Sequence, residues 1–394
     1  MAFSSREWEL FVQLESVYGT SPGALAGTDA FKCVAQNPFT RHVARYDRDK
    51  DQGNSASVLS TQKGKEFSSY QVAGDLIPSG NAVTPTAPDM SEFFEAHFGL
   101  KHTATAHTTL AAGSTTTVLN FTAGGVAATG AQVGDLIMVD VGGAFGYEVR
   151  QITVIATDVV TVHLALSQAP AAAQAVKLGT TYRLSASTFK SIYLWEFLFG
   201  NNFRHVAPGN SVKTMGISCD FSSQTPVATV NFAGEGLAIA AQTATSKPTS
   251  VTNGQPLLPS VAKAWIGSTA VLCLTKASLQ SDNALELRMN ESCSLVASGL
   301  KRTGNGGNYN ITQNLELLLL TGYIEGLYDA ASALTSYDVT CQLGVTPGAT
   351  FAWRTPKWIL DGVTGDQDGE VNLQMSGRAY ALTTIDTELV CAFL

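Results

Sequence analysis

The stretch Val227-Ala-Thr-Val-Asn-Phe-Ala-Gly-Glu-Gly-Leu-Ala-Ile239 decides how this chain is read, because Val371-Asn-Leu-Gln-Met-Ser-Gly-Arg-Ala-Tyr-Ala-Leu382 is written on the same plan. Both stretches read as a closing strand broken by glycine. Each follows a Pro-Gly pair that opens a strand, Pro208-Gly209 in one case and Pro347-Gly348 in the other. Further upstream each follows a strand and then a helix: Phe67 to Ile77 before a helix around Phe93, and Tyr309 to Leu320 before a helix around Tyr323. Order and spacing agree, which predicts one structural unit written twice. The units are read as residues 1–100 plus 184–245 and residues 259–394, with a Pro-containing linker at 246–258.

Outside the two helices the chain is a series of short stretches rich in Val, Thr, Ile, Phe and Tyr, bounded by Gly, Asn, Asp and Pro, so the fold is predicted to be mostly β. The first helix runs from Pro88 to Gly99. Asp89 is placed to cap it, Glu92 to complete a capping box, and Gly99 to stop it. Met90, Phe93, Phe94 and Phe98 share one face, which predicts packing on a sheet. The second helix is read from Gly322 to Leu334, with Tyr323, Leu327, Ala330, Ala331 and Leu334 facing inward.

Between Lys101 and Arg183 the composition shifts to Ala, Thr, Val and Gly, and basic and acidic residues balance. Three strands are legible there: one after Val133-Gly-Asp, one from Tyr147, and one from Val159. Gly-rich or Asp turns separate them. The pattern predicts a small β-barrel inserted in a loop of the host, which resumes near Tyr182.

The whole chain has 394 residues, 24 Lys+Arg and 32 Asp+Glu, a formal charge of −8, and only 14% charged against 45% hydrophobic residues. That balance excludes a disordered chain. It also argues against a surface that grips nucleic acid, because phosphate affinity comes from clustered Lys and Arg. It does not argue against a protein that surrounds DNA. No apolar window reaches the ~18 residues of a membrane span, and the start, Met1-Ala-Phe-Ser-Ser-Arg-Glu, does not read as a secretory signal. Six widely spaced cysteines, with no C-x-x-C pair, read as reduced thiols in a protein made in the cytoplasm.

Catalytic and metal-binding patterns are sparse. The six histidines have no ligand spacing, and no nucleophile elbow, P-loop or dinucleotide fingerprint occurs, so neither cofactor nor metal is expected and the chain does not read as an enzyme. Asp361-Gly-Val-Thr-Gly-Asp-Gln-Asp-Gly-Glu370 has the rhythm of a calcium loop without the EF-hand order, and reads as an acidic surface loop. Charge concentrates in Arg41 to Asn54, where Arg45, Asp47, Arg48, Asp49, Lys50 and Asp51 alternate in sign. Such a loop suits contact with a neighbouring subunit, where charge fixes register more than affinity.

Several motifs together resemble the tail tube (major tail) proteins of bacteriophages with long non-contractile tails. They are Phe11-Val-Gln-Leu-Glu-Ser-Val-Tyr-Gly-Thr-Ser-Pro22, Ala87-Pro-Asp-Met with the Phe-rich helix and Phe98-Gly99, Gly304-Asn-Gly-Gly with Tyr309-Asn-Ile-Thr, and Asp386-Thr-Glu-Leu-Val-Cys-Ala-Phe393. The resemblance covers most of the chain apart from 101–183. It implies tandem units, each packing two sheets against a helix, and a virion protein that stacks as rings into a tube through which DNA passes without specific binding. A trimer of two-unit chains would give a pseudo-six-fold ring; a single-unit reading would need a hexamer. Tape measure, tail terminator and distal tail proteins would be partners. The loop Arg45 to Asp51 would lie between rings, Trp8 and Phe11 at a subunit boundary, and 101–183 on the exterior. The competing readings are a tail terminator or capsid decoration protein, and a surface carbohydrate-binding β-protein that uses 101–183.

Overall fold

A computed structural model describes residues 8–394 apart from 33–38, 47–61, 199–202, 244–246, 252–253, 260, 272–273, 290–298, 303–308, 319–328, 330, 367–371 and 383–386. The protein is mostly β. The first elements are β1 (Trp8–Leu14), β2 (Ala30–Phe31), β3 (Phe39–Tyr46), β4 (Gln62–Asp75), α1 (Ser91–Phe98) and β5 (Gly99–Thr103). Next comes a barrel of β6 (Thr108–Thr109), β7 (Val118–Asn120), α2 (Gly125–Thr129), β8 (Leu136–Asp140), β9 (Tyr147–Ala156), β10 (Val159–Val162) and β11 (Ala175–Leu178). The chain re-enters the host through β12 (Thr180–Leu184), β13 (Ile192–Leu198), β14 (Phe203–Asn210), β15 (Thr214–Asp220), β16 (Thr229–Gly236) and β17 (Ala240–Thr243). It ends with β18 (Ala262–Ile266), β19 (Thr269–Val271), β20 (Leu274–Asp282), β21 (Leu285–Leu287), β22 (Leu300–Arg302), β23 (Asn310–Leu318), β24 (Ser336–Thr346), β25 (Ala349–Asp366), β26 (Asn372–Ala379) and β27 (Val390–Phe393).

Strand order repeats across the two halves. An inner sheet runs β3-β4-β16-β15 and continues directly as β20-β23-β26-β25. An outer layer runs β17-β14-β13-β1-β2 in the first half and β27-β25-β24-β18-β19 in the second. The halves meet where β15 pairs antiparallel with β20, from Thr214↔Asp282 to Asp220↔Lys276.

The glycines of the two opening stretches have a shared physical cause. In each half one strand leaves the outer layer and enters the inner sheet across the face of the closing strand: β14 passes into β15, and β25 does both jobs in one bent strand with a bulge at Leu360–Gly362. A Cβ on Gly234 would overlap the Ser211 carbonyl oxygen, and one on Gly377 would overlap the Ile359 carbonyl oxygen. Only glycine allows that approach. The two Pro-Gly pairs, by contrast, are not equivalent. Pro347-Gly348 is the turn between β24 and β25, whereas Pro208-Gly209 lies near the end of β14.

Helix α1 lies between the layers. Met90, Phe93, Phe94 and Phe98 are buried, and Phe94 touches Phe98, Tyr182, Phe232, Phe351 and Phe393, so its ring joins both halves. Each such ring contributes roughly 1.5–3 kcal/mol on burial. The cap position falls on Met90 rather than Asp89, and the Met90 side chain makes no capping hydrogen bond. Packing holds this helix, and Gly99, at a φ of 90°, ends it. Most of the second predicted helix lies outside the described residues. Its end departs from expectation, since Leu334 is exposed at a positive φ of 53° where the chain turns toward β24. Ala331 is the described residue of that segment packed against the core.

The inserted segment is a six-stranded sheet, β6-β11-β8-β9-β10-β7, whose ends meet through a bridge between Leu110 and Phe121. Leu119, Ile137, Val139, Ile152, Val160 and Val176 fill its own core. Strands β8, β9 and β10 match the three read from sequence; β6, β7 and β11 are short and carried no signal. Its edges fall inside the limits read at 101 and 183. β5 and β12 pair with each other from Gly99↔Leu184 to Thr103↔Thr180, and β12 also pairs with β27, so both belong to the host sheet. Among the described residues Cys219, Cys341 and Cys391 are free and buried.

Candidate interaction surfaces

The inner sheet buries one face against α1 and the outer layer. Its other face is polar and curls, and a depression of about 470 Å³ reaches across β15, β20, β23, β26 and β25. Strand register sets this face in rows. One row reads Asp75, Thr229, Ser218, Ser278, Asn314, Ser376 and Gly362. The next reads Ala73, Asn231, Gly216, Gln280, Thr312 and Arg378. On the other side stands Asp220, Lys276, Glu316, Gln374 and Thr364. The middle of the face is therefore hydroxyls and amides, with charge toward its margins. The two cations of these rows sit beside carboxylates: Lys276 Nζ is 3.4 Å from Glu316 and 4.0 Å from Asp220, and Arg378 Nε is 3.4 Å from Asp361. The signal was present in the sequence, since Met215, Ile217 and Cys219 alternate with Gly216, Ser218 and Asp220. Alternation shows that a strand has a polar face, but not that such faces line up across seven strands.

The inner sheet also has two open edges among the described residues. Among the described strands β3 pairs only with β4. Beyond Ile359, where its pairing with β24 stops, β25 pairs only with β26 among the described strands. These are the edge positions that β20 and β15 occupy where they pair with each other inside the chain.

Of the residues singled out from sequence, Arg45 is exposed on β3, in register with Lys63. Asp47, Arg48, Asp49, Lys50 and Asp51 lie outside the described residues, as do Gly304 to Gly307 and the end of the acidic 361–370 loop. Trp8 begins β1, half-buried, and its indole N–H donates to Glu196 Oε1 at 2.6 Å. Phe11 is fully buried against Phe197 on the face of the first half's outer sheet turned away from α1. Its ring packs within the chain among Ala30, Tyr193, Trp195, Phe197 and Val206. Alternation put Phe11 on an apolar face; the cover over that face, which includes Leu25, was not legible.

The barrel docks on the outer sheet of the second half, on the side away from the polar face. Leu136, Met138 and Val149 pack on Ala352, Val390, Ala392 and Leu394. Around this patch the contact is polar and buried. Arg150 lies 4.2 Å from the centre of the Trp265 ring and donates to Glu148 at 2.8 Å. Burial pulls the Arg150 guanidinium down to about 10, with Glu148 opposing. Gln342 accepts from the Val149 N–H at 3.0 Å, and His163 Nε2 lies 3.1 Å from Thr340 Oγ1. Burial, with Arg354 and Arg150 nearby, pushes His163 down to about 2, so it is neutral at physiological pH.

Among the described residues no cluster of His, Cys, Asp or Glu could hold a metal ion, and no helix is long and apolar enough to cross a membrane. No known family profile matches this chain, and no curated protein matches it.

Proposed function

We propose that this chain is a structural subunit of a phage tail tube, assembling edge to edge into rings that stack around a channel for DNA. The observation that carries the reading is the internal junction. β15 of one unit pairs with β20 of the next, and the same two edge types stand open at the ends of the inner sheet on β3 and on β25 beyond Ile359. A copy that repeats the internal junction with its neighbour leaves two equivalent edges open again, so association is head to tail and ends only on closure. Closure removes edges that would otherwise pair without control. Three two-unit chains supply the six units implied by the tail-tube resemblance. In that ring the polar face lines the channel and the barrel projects outward.

Negative-stain electron microscopy and mass photometry of the purified chain test this. Hollow rings or tubes built from three chains per layer are the expected result. A protein that stays monomeric across concentration, or forms particles without a lumen, would refute the reading.

A further inference from the structure

We propose that the cavity between the outer sheet of the first half and the 21–25 loop is a binding site for a monocarboxylate carried on a flat ring. On the side of that sheet turned away from α1, alternation along β13 sets Tyr193, Trp195 and Phe197 in a row, with Phe11 directly across from Trp195. In the second half this side of the outer sheet lies under the barrel, where Arg150 covers the Trp265 ring and His163 reaches Thr340. In the first half the cover is a loop. Leu25 packs on the aromatic cluster, and Gln13 holds the loop down by donating to the Ala24 carbonyl at 3.2 Å. Between loop and sheet, Lys247 and Pro248 complete the walls of a cavity of about 560 Å³. That lies within the ~300–1,000 Å³ usual for small-ligand sites. A loop pinned over it admits a small molecule rather than a folded domain.

The chemistry of the walls selects the ligand. Tyr193 and Trp195, with ring centres 4.4 Å apart and planes tilted by 36°, give an apolar floor against which a ring can rest. Arg204 stands directly across from Phe197 at the end of that row. Gln242, directly across from Arg204 on β17, accepts from its Nε at 3.0 Å and from its Nη2 at 2.7 Å. Gln242 is neutral, so it orients the guanidinium and leaves its charge in place. The cavity is lined by two cations, Arg204 and Lys247, and by no carboxylate. Glu9, outside the lining, pairs with Lys247 at 2.6 Å. Arg204 is therefore the group assigned to the ligand's carboxylate, which a guanidinium takes by two parallel hydrogen bonds. A six-membered sugar acid and an aromatic acid both present this combination of ring and carboxylate. The site uses neither edge of the inner sheet, so its fate and that of the tube reading are independent.

The test is saturation-transfer NMR on the purified full chain, titrated with glucuronate, with phenylacetate, and with their uncharged counterparts glucose and phenylacetamide. At least one acid is expected to bind with a Kd of about 1 mM or below, the range open to a ligand of roughly ten heavy atoms. Which acid binds identifies the source, sugar acid or aromatic acid. The uncharged counterpart should bind at least about tenfold more weakly, and so should the acid on Arg204→Gln. Arg378→Gln, which removes a cation from the inner sheet instead, should bind as the wild type does. Thermal unfolding confirms that both variants are folded; if Arg204→Gln is not, the comparison of acid with uncharged counterpart decides alone. The site is overturned if neither acid binds up to roughly 20 mM. It is equally overturned by an uncharged counterpart that binds as well as its acid, or by an unchanged Kd in folded Arg204→Gln.

Discussion

His97 Nε2 lies 2.9 Å from the Ser281 hydroxyl oxygen, a buried contact that ties the helix of the first half to an inner strand of the second. The other ring nitrogen, Nδ1, is 3.0 Å from the Val212 carbonyl, which can only accept. Nδ1 therefore carries the proton, and Nε2 accepts from Ser281. Asn283 completes the bracket by donating to the carbonyls of His97 and Val212 at 3.1 and 2.8 Å.

Replacing His97 by Ala strips the bracket and leaves Val212 and Ser281 with unmet polar groups beside a cavity. A loss of about 2–4 kcal/mol is expected, read as a lower urea midpoint. His97→Gln, which keeps polar atoms there, should recover part of it. Equal losses in both variants would show that volume, not hydrogen bonding, is what matters.

Acid sensitivity follows from the same residue. Burial pushes His97 down to about 4 from 6.5, so between those pH values the unfolded chain binds a proton that the folded chain refuses. Its contribution is fully present above pH 6.5 and is lost as pH falls toward 4, by an amount on the order of 3 kcal/mol. His163 acts in the same direction over a wider range. Glu92, raised to about 7 by burial, opposes them between 4.5 and 7. Burial also lowers His107 and raises Glu15 and Asp135, which add to the two sides in turn. The large shifts are those of two histidines against one carboxyl, and they predict stability that rises from pH 4.5 to 6.5. Urea titrations at pH 5 and 6.5 check the sign, and a higher midpoint at pH 5 would contradict it.

Gly234→Ala and Gly377→Ala should each cost about 3 kcal/mol or more, because the new methyl meets a backbone carbonyl that cannot step aside. Gly362→Ala on the same sheet is the control. A Cβ there meets only the Ser376 hydroxyl at 3.6 Å, so its effect should stay within about 1 kcal/mol. Equal costs at all three positions would sink the crossing-strand explanation.

Arg150→Met should destabilise by about 3–5 kcal/mol by leaving Glu148 buried without its cation. Adding Glu148→Gln should restore a large part of that. A double-mutant cycle with no coupling between the two positions would show that the ion pair does not hold the barrel seat together.

The sequence by itself determined that the chain is mostly β, which residues of α1 face inward, where three barrel strands run, and that glycine interrupts both closing strands. These are local properties. Two-residue alternation sorts a strand's faces, and a 3.6-residue period sorts a helix's. The tertiary structure alone decided which strands neighbour one another, that β15 meets β20, and that polar faces from both halves join in one curved surface. It also decided that Phe11 is covered, that Met90 rather than Asp89 takes the cap position, and that the two Pro-Gly pairs stand in different places. Strand pairing is made by backbone groups from residues far apart in the chain, and those groups are the same for nearly every side chain. The glycines at 234 and 377 are where the two levels meet: the sequence marks an interruption, and only the fold supplies the strand that crosses there.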